Sequence, residues 1–599
     1  MRLTVERYVD LGLQRIWSAV RGSEVTAGIL LAAVVGAFAG LGAVAFRELI
    51  TRFQWVFFNR GAVLLDALGD NYVVVIPIAG ALIFGPLIYF VAREAKGEGP
   101  PEVMEAVAVG GGRIRPRVAI VKALASSICI GSGGSVGREG PIVQIGASVG
   151  STVGQWLRMP EGWVKTMVLC GAAGGISATF NAPIGGVLFA LEVLQRRFVP
   201  GNLVSLVISS VTADAVAHQF LGQKPSFSIT AYRMASHWEI LPYALLGIIA
   251  GLAALLFVRF FYRVEDLFSV VRLPGYLKPA LGGIVLGLIG MHYAEVFGVG
   301  YGEGYTVGGV FMDSGAVDTA LLGEMTLKMT LLLMVMKVVA TSVTLGSGGS
   351  GGVFAPSLFI GSMLGAAFGI VMHNLAPGIT SDTVAETSGS YALVGMGAFF
   401  AATVHGPITA IILLFEMTRD YALILPLMTA VVFSLVVARG VSRESIYTLR
   451  LVRRGVDIHR QEAADLLSSV KVRQVMTRSF PTVSPSMPVS ELVNKLHESG
   501  HHGFPVVDES GNLVGVVTLE DVEGVMSRLE PGLTVGDIAN KSPIVAYPDQ
   551  SIHDAVAQLG GRDVGRIPVV DPRNPKRLLG CLRRHDIIRA YSRALGNRV

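Results

Sequence analysis

Four stretches of this chain carry no charged side chain: Val25–Phe46, Asn71–Ala92, Ile240–Val258 and Ala422–Ala438, each 17 to 22 residues long. About 20 apolar residues cross the hydrocarbon core of a bilayer as a helix. These runs alone restrict the fold to a polytopic membrane protein. Composition agrees, since only 16% of the 599 residues are charged and 51% are hydrophobic, whereas a soluble chain carries about a quarter charged residues. The 73 glycines fit as well, because glycine is commoner in membrane helices than in soluble ones.

Residues 1–24 mix Arg2, Arg7, Arg15 and Arg21 with Glu6, Asp10 and Glu24. They lack the apolar core and small-residue cleavage site of a signal peptide. An amphipathic helix lying on the cytoplasmic membrane surface is the expectation there. The formal net charge of +5 does not call for a nucleic-acid partner. Its Arg450–Arg454 cluster follows an apolar span and fits the positive-inside rule, which puts the C-terminal tail in the cytoplasm. Cys129, Cys170 and Cys581 have neither a disulfide framework nor metal-ligand spacing, so they are expected to be buried packing residues, and no metal site is expected.

The membrane part repeats itself. VKALASSICIGSGGSVG (121–137) aligns without gaps on MKVVATSVTLGSGGSGG (336–352) at an offset of 215 residues. LCGAAGGISATFNAPIGGVLFALEV (169–193) matches LVGMGAFFAATVHGPITAIILLFEM (393–417) at an offset of 224. Gly171/Gly395, Pro183/Pro407 and Glu192/Glu416 are among the shared positions. Each glycine loop, GSGGSVGREGP from Gly131 and GSGGSGG from Gly346, interrupts an apolar run. Broken helices at membrane depth are tolerated only where the loose backbone is buried or lines an aqueous cavity. Their exposed amide ends and positive dipoles then favour an anion. Lys122 and Lys337 recur at the 215 offset inside apolar segments. They either raise the potential along an anion route or snorkel to the interface.

GREGP (137–141), GGVFAP (351–356), FNAPIGGVLFALE (180–192) and the late SIYTL (445–449) together resemble the CLC family of chloride channels and proton–chloride exchangers. The tail resembles a tandem pair of cystathionine-β-synthase (CBS) domains. The resemblance runs from about residue 25 to 595. It implies an all-α polytopic membrane protein with two inverted-repeat halves and broken helices, followed by a soluble α/β CBS pair. The expected divisions are membrane half 1 at 25–220, half 2 at 221–448, a linker at 449–470, and CBS domains at 471–532 and 533–599. The family further implies a homodimer with one anion pathway per subunit. Val353 and Phe354 amides would hold a central anion with the Tyr447 hydroxyl, and the amides around Arg138, Glu139, Gly140 and Ala355 an outer one. Glu139 would be the gate, its carboxylate imitating the anion when ionised.

Two departures from the family pattern matter. Its first anion motif, usually glycine-serine-glycine-X-proline, reads GEGPP here (97–101). Glu98 thus stands at the serine position, where an ionised carboxylate would repel the central anion, so it is neutral, turned away or part of an altered site, or else merely caps a loop beside Lys96. Val193 occupies the position of the inner proton-accepting glutamate and cannot titrate. The expected function is therefore passive transport of chloride or a similar small anion, with a proton-coupled exchanger as the alternative. Glu192 and Glu416 are expected to hold helix ends, and His405 to be packed or capped.

In the tail, Thr518 and Asp521 match the CBS pattern for an adenosine ribose. Asp586 repeats the acid, but Arg583 replaces the usual threonine or serine. The two roles open for the tail are adenine-nucleotide binding and plain dimerisation, and no cofactor is required. The glycine loops lack the lysine-serine/threonine ending of a phosphate-binding loop, and no nucleophile–base pair appears. An ATP-driven pump or other membrane enzyme is the weaker class. The expected site is the plasma (inner) membrane of a prokaryote.

Overall fold

The computed structural model describes residues 24–198, 200–223, 227, 236–301, 303–307, 310–456, 470–499, 501–526, 532–558 and 566–589. The expected surface helix at 1–24, apart from its last residue, and residues 457–469 of the expected linker lie outside the described residues. The chain divides into two units, 1–456 and 457–599.

The first unit is helical, and its two halves are built alike. Long apolar helices α1 (Glu24–Gln54) and α2 (Tyr72–Val91) precede short α3 (Pro100–Ala108), then α4 (Arg117–Gly131), α5 (Glu139–Trp156), α6 (Glu161–Phe180), α7 (Pro183–Leu188) and α8 (Pro200–Leu221). The second half runs α9 (Ile240–Val270), α10 (Lys278–Gly290), α11 (Ala316–Leu321), α12 (Leu327–Gly346), α13 (Phe354–Leu375), α14 (Val384–Val404), α15 (Pro407–Thr418), α16 (Ile424–Val441) and α17 (Ile446–Arg453). Seven helices among the described residues are long and apolar enough to span a bilayer, while α10, α15 and the Pro183–Leu194 segment are too short. One element departs from the all-helical expectation: an antiparallel hairpin of β1 (Glu303–Val307) and β2 (Val310–Ser314).

Why the halves match can be read from reciprocal glycines. A Cβ on Gly146 would lie 2.1 Å from the Gly171 carbonyl oxygen, and one on Gly171 would lie 1.9 Å from that of Gly146. At the second-half equivalents, Gly361 and Gly395, the same test gives 2.5 and 2.4 Å. Backbone therefore packs directly on backbone where α5 crosses α6 and where α13 crosses α14. Small residues permit this approach, which is how membrane helices associate without a hydrophobic driving force.

The halves also exchange contacts reciprocally. Glu192 accepts hydrogen bonds from the amides of Ile408 (3.1 Å) and Thr409 (2.7 Å) at the start of α15. Glu416 does the same for Ile184 (3.0 Å) and Gly185 (2.6 Å) at the start of α7. Each glutamate thus supplies a negative charge to the positive end of the opposite half's helix. Residue i meeting j′ while j meets i′ is the mark of two-fold symmetry.

The second unit is itself two similar parts, each built on a helix followed by a hairpin. The first has α18 (Val489–Ser499), β3 (Gly503–Val507), β4 (Leu513–Thr518) and α19 (Leu519–Met526). The second has α20 (Ile552–Ala557), β5 (Arg566–Asp571) and β6 (Asn574–Arg583). Both hairpins are antiparallel. The cores cross over. Val535 and Ala539, from the start of the second part, pack with Phe504 and Val517 of the first. Val472, from the start of the first, packs with Ile567, Val569 and Leu582 of the second. The two cores are thus shared across the expected boundary at 532/533.

Candidate anion site

Three irregular segments meet where the glycine loops lie. Gly137 and Gly352 exchange both backbone hydrogen bonds, each 2.7 Å. Gly97 donates to Gly349 and accepts from Gly351, both at 3.3 Å. The meeting is too tight for side chains: a Cβ on Gly140 would lie 2.0 Å from the Glu98 carbonyl and 2.8 Å from the Gly352 Cα. Glycine at these turns lets the amino ends of α5 and α13 approach one another.

The two lysines brace this junction. Lys122 is fully buried, and its Nζ donates to the carbonyls of Ala95 (3.1 Å) and Gly97 (2.6 Å). Lys337, also fully buried, donates to Val296 and Gly298, both at 2.9 Å. Both lysines tie down loose carbonyls, and the snorkelling alternative is overturned by their complete burial. Ser350 continues the brace, bonding Ser126 and the Ala95 carbonyl, both at 2.8 Å.

At the amino ends, the first helical bonds after the break run from Ile142 to Arg138 (3.1 Å) and from Ser357 to Val353 (3.0 Å). The amides of Arg138, Glu139 and Gly140, and of Val353, Phe354 and Ala355, belong to first turns, which have no partner within their own helices. Glu139 lies among them, fully buried. Its Oε1 accepts the hydroxyl of Tyr301. Its Oε2 has no hydrogen-bond partner among the described residues, and the carboxylate lies near the amides of Ala355 and of Glu139 itself. Arg138 Nε is 4.0 Å from Oε1, and its guanidinium stands 5.4 Å from the Tyr301 ring centre. Phe227 closes on the Tyr301 ring edge-on at 5.3 Å.

Phe354 is packed among Phe180, Phe189 and Phe400, which fixes the direction of its amide. Tyr447, on α17, is fully buried, and its hydroxyl has no hydrogen-bond partner among the described residues. It lies within electrostatic reach of both Glu139 and Glu98. Buried polar groups are normally paired, so an unpaired buried hydroxyl is a place for a ligand.

Glu98 does not cap a loop. It is fully buried, and both carboxylate oxygens lack hydrogen bonds among the described residues. Its nearest charge is Arg450, whose Nη2 lies 3.1 Å from Oε1 but is misaligned for a hydrogen bond. Arg450 also pairs with Glu265 at 3.2 Å.

Val193 borders a cavity of about 420 Å³ with Arg196, His405, Arg439, Arg443 and Ser445. Glu192 borders it too, with its carboxylate committed to the α15 amides. His405 caps α14 in the left-handed conformation, φ 61°. The described residues contain no cluster of metal-ligating side chains, and the three cysteines are buried.

In the tail, Thr518 and Asp521 bond each other, with Oγ1 and the Thr518 amide each 2.7 Å from Asp521 Oδ2. Asp586 takes a bidentate pair from Arg583, at 2.8 and 2.9 Å, and a third bond from Thr477 at 3.1 Å. Both of its oxygens are thereby occupied.

The structure thus gathers Glu139, Arg138, Gly140, Val353, Phe354 and Ala355 at one junction, with Tyr447 and Glu98 beside it. Val193 stands at the cavity, and Thr518, Asp521 and Asp586 lie in the other unit. Sequence reasoning missed Tyr301 and Arg450. No motif flags Tyr301, which only the fold carries to Glu139. A signal for Arg450 existed in its spacing, one turn beyond Tyr447 on the same helix face.

Residues 79–439 match the family model described as voltage gated chloride channel, and 472–527 and 535–593 each match that of the CBS domain. The chain is 36% identical over 432 residues to the ClcB-like chloride channel protein of Ralstonia nicotianae, covering 71% of this chain and 96% of that one. It is 33% identical to the H(+)/Cl(-) exchange transporter ClcA of Vibrio parahaemolyticus, covering 72% and 91%. A crystal structure of a slow cyanobacterial Cl-/H+ antiporter superposes with a TM-score of 0.64 at 27% identity, covering 73% of this chain and 99% of that one.

Proposed function

We propose, from the premise that this chain belongs to the voltage gated chloride channel family, that it carries chloride or a similarly small monovalent anion through a pathway gated by Glu139. The single observation that supports this most is the Glu139 carboxylate itself, lying between the amino ends of α5 and α13. A carboxylate at that point stands in for an anion of the same charge. Once protonated it loses its hold on the amides, and a mobile anion takes its place. Neutral amides attract an anion without the deep trap of a lysine, as conduction requires. A glutamate at membrane depth costs about 2.5–3.5 kcal/mol or more, which marks it as functional.

Transport is passive in this reading, because Val193 cannot relay a proton and Glu192 beside it is engaged in capping α15. A second reading, proton–chloride exchange, is favoured by the exchanger and antiporter among the similar proteins. The working form is a homodimer in the plasma (inner) membrane with the CBS pair in the cytoplasm, consistent with the Arg450–Arg454 cluster at the end of α17. Adenine nucleotide, if the tail takes any, binds at Thr518 and Asp521, since Asp586 is filled by its own neighbours.

Recording internal pH while chloride runs down its gradient into liposomes separates the readings. A flat pH during chloride flux is the expected result. Protons driven uphill would sink the passive reading in favour of exchange, and absence of anion flux would sink both.

A further inference from the structure

Resting on the anion-transport reading, we propose that Arg450 is a charge clamp: it holds the Glu98 carboxylate away from the amides of Val353 and Phe354 and the Tyr447 hydroxyl, where that carboxylate would otherwise lodge as a tethered anion. Glu98 is fully buried, yet neither oxygen makes a hydrogen bond among the described residues. A buried carboxylate without hydrogen bonds gains by moving to any free donors within reach. Donors of this kind are near: the Glu98 carbonyl and the Cα of Gly352, the residue before Val353, both crowd Gly140, and the Tyr447 hydroxyl is unpaired among the described residues. The Glu98 backbone is wedged against Gly140 at the junction, so little chain movement separates the two positions. Glu139 already shows how a carboxylate sits at these helix ends.

What opposes that movement is one side chain. Arg450 Nη2 stands 3.1 Å from Glu98 and is shared with Glu265 at 3.2 Å. Arg450 follows Tyr447 by three positions on α17, so hydroxyl and guanidinium share a helix face. A second pair, Arg454 with Glu102 at 2.8 Å, extends the network along that helix. The clamp explains how a glutamate can occupy the GEGPP position without closing the route.

The test is chloride flux through liposomes carrying the full-length chain, measured over a range of chloride concentrations. In R450Q the freed carboxylate competes with chloride. Half-maximal flux should then need at least about tenfold more chloride, with the maximal rate retained, and adding E98Q should restore the original half-saturation. A merely structural role for Arg450 would lower the maximal rate and leave the half-saturation alone. That result, no change at all, or a shift that survives E98Q would each overturn the clamp. Should R450Q not be recovered folded, R450K keeps the charge but not the fork geometry. A smaller shift of the same kind, again reversed by E98Q, is then expected, and an unshifted R450K overturns the clamp. A wild-type chain that carries no chloride removes the transport reading and the clamp together, whereas wild-type flux with an unshifted variant removes only the clamp.

Discussion

Glu139 was legible because a carboxylate inside GREGP, between two apolar runs, has no structural excuse. Its partner Tyr301 was not, since the tyrosine reaches it only through the fold. The lysines sit between these cases. Their equivalence followed from the 215-residue offset, but their carbonyl partners lie in irregular loops, Ala95–Gly97 and Val296–Gly298, that the aligned repeat does not include. Each lysine makes two buried hydrogen bonds, worth about 0.5–1.5 kcal/mol apiece. Lys122→Met and Lys337→Met should both lower the thermal unfolding midpoint in detergent, by similar amounts. A midpoint unchanged in either would show that its carbonyls find other partners. Gly140→Ala should be harsher. Its Cβ meets the Glu98 carbonyl at 2.0 Å, so the expected outcome is loss of anion flux, and normal flux would show the junction to be looser than described.

Among the elements, the helix breaks were plain in the glycine runs, and the reciprocal crossing of α5 with α6 and α13 with α14 follows from glycines at matched positions. Glu192 and Glu416 were expected to hold helix ends. That each holds an end in the opposite half could not be read from one strand of sequence, because local patterns carry no information about partners more than 200 positions away. Each capping carboxylate accepts two amide bonds at a helix amino end. Glu416→Gln should therefore cost about 1–3 kcal/mol, visible as a shifted detergent unfolding curve, and Glu192→Gln should cost a similar amount. A large effect from one and none from the other would contradict the two-fold exchange. The crossed cores of the tail were hidden for the same reason: Val472 and Val535 each open their own unit in sequence but pack in the other.

For the whole molecule, two units of different chemistry were evident from the change of composition after Val441. What the tail responds to depends on side chains whose partners the motif does not specify. At Asp586, burial works against the charged form, but the Arg583 fork and Thr477 outweigh it and hold the carboxyl below its usual range. A carboxyl so held contributes stability above its unfolded value of about 3.9, and loses that contribution as pH falls through the lower folded value. Asp586→Asn should thus speed amide exchange in β6 of the full-length protein at neutral pH, by about 1 kcal/mol. The difference from the unsubstituted chain should vanish under acid conditions, and a difference that persists there would assign the effect to packing.

The proposed transport turns on one carboxylate, Glu139, acting as a protonation gate. The direct measurement is chloride flux in liposomes across a range of pH for the natural chain and for Glu139→Gln. Flux through the natural chain should rise as pH falls, because protonation frees the amide ends, while flux through Glu139→Gln should be high and insensitive to pH. An unaltered pH dependence in Glu139→Gln would place the gate elsewhere and contradict the role assigned to the α5 and α13 junction.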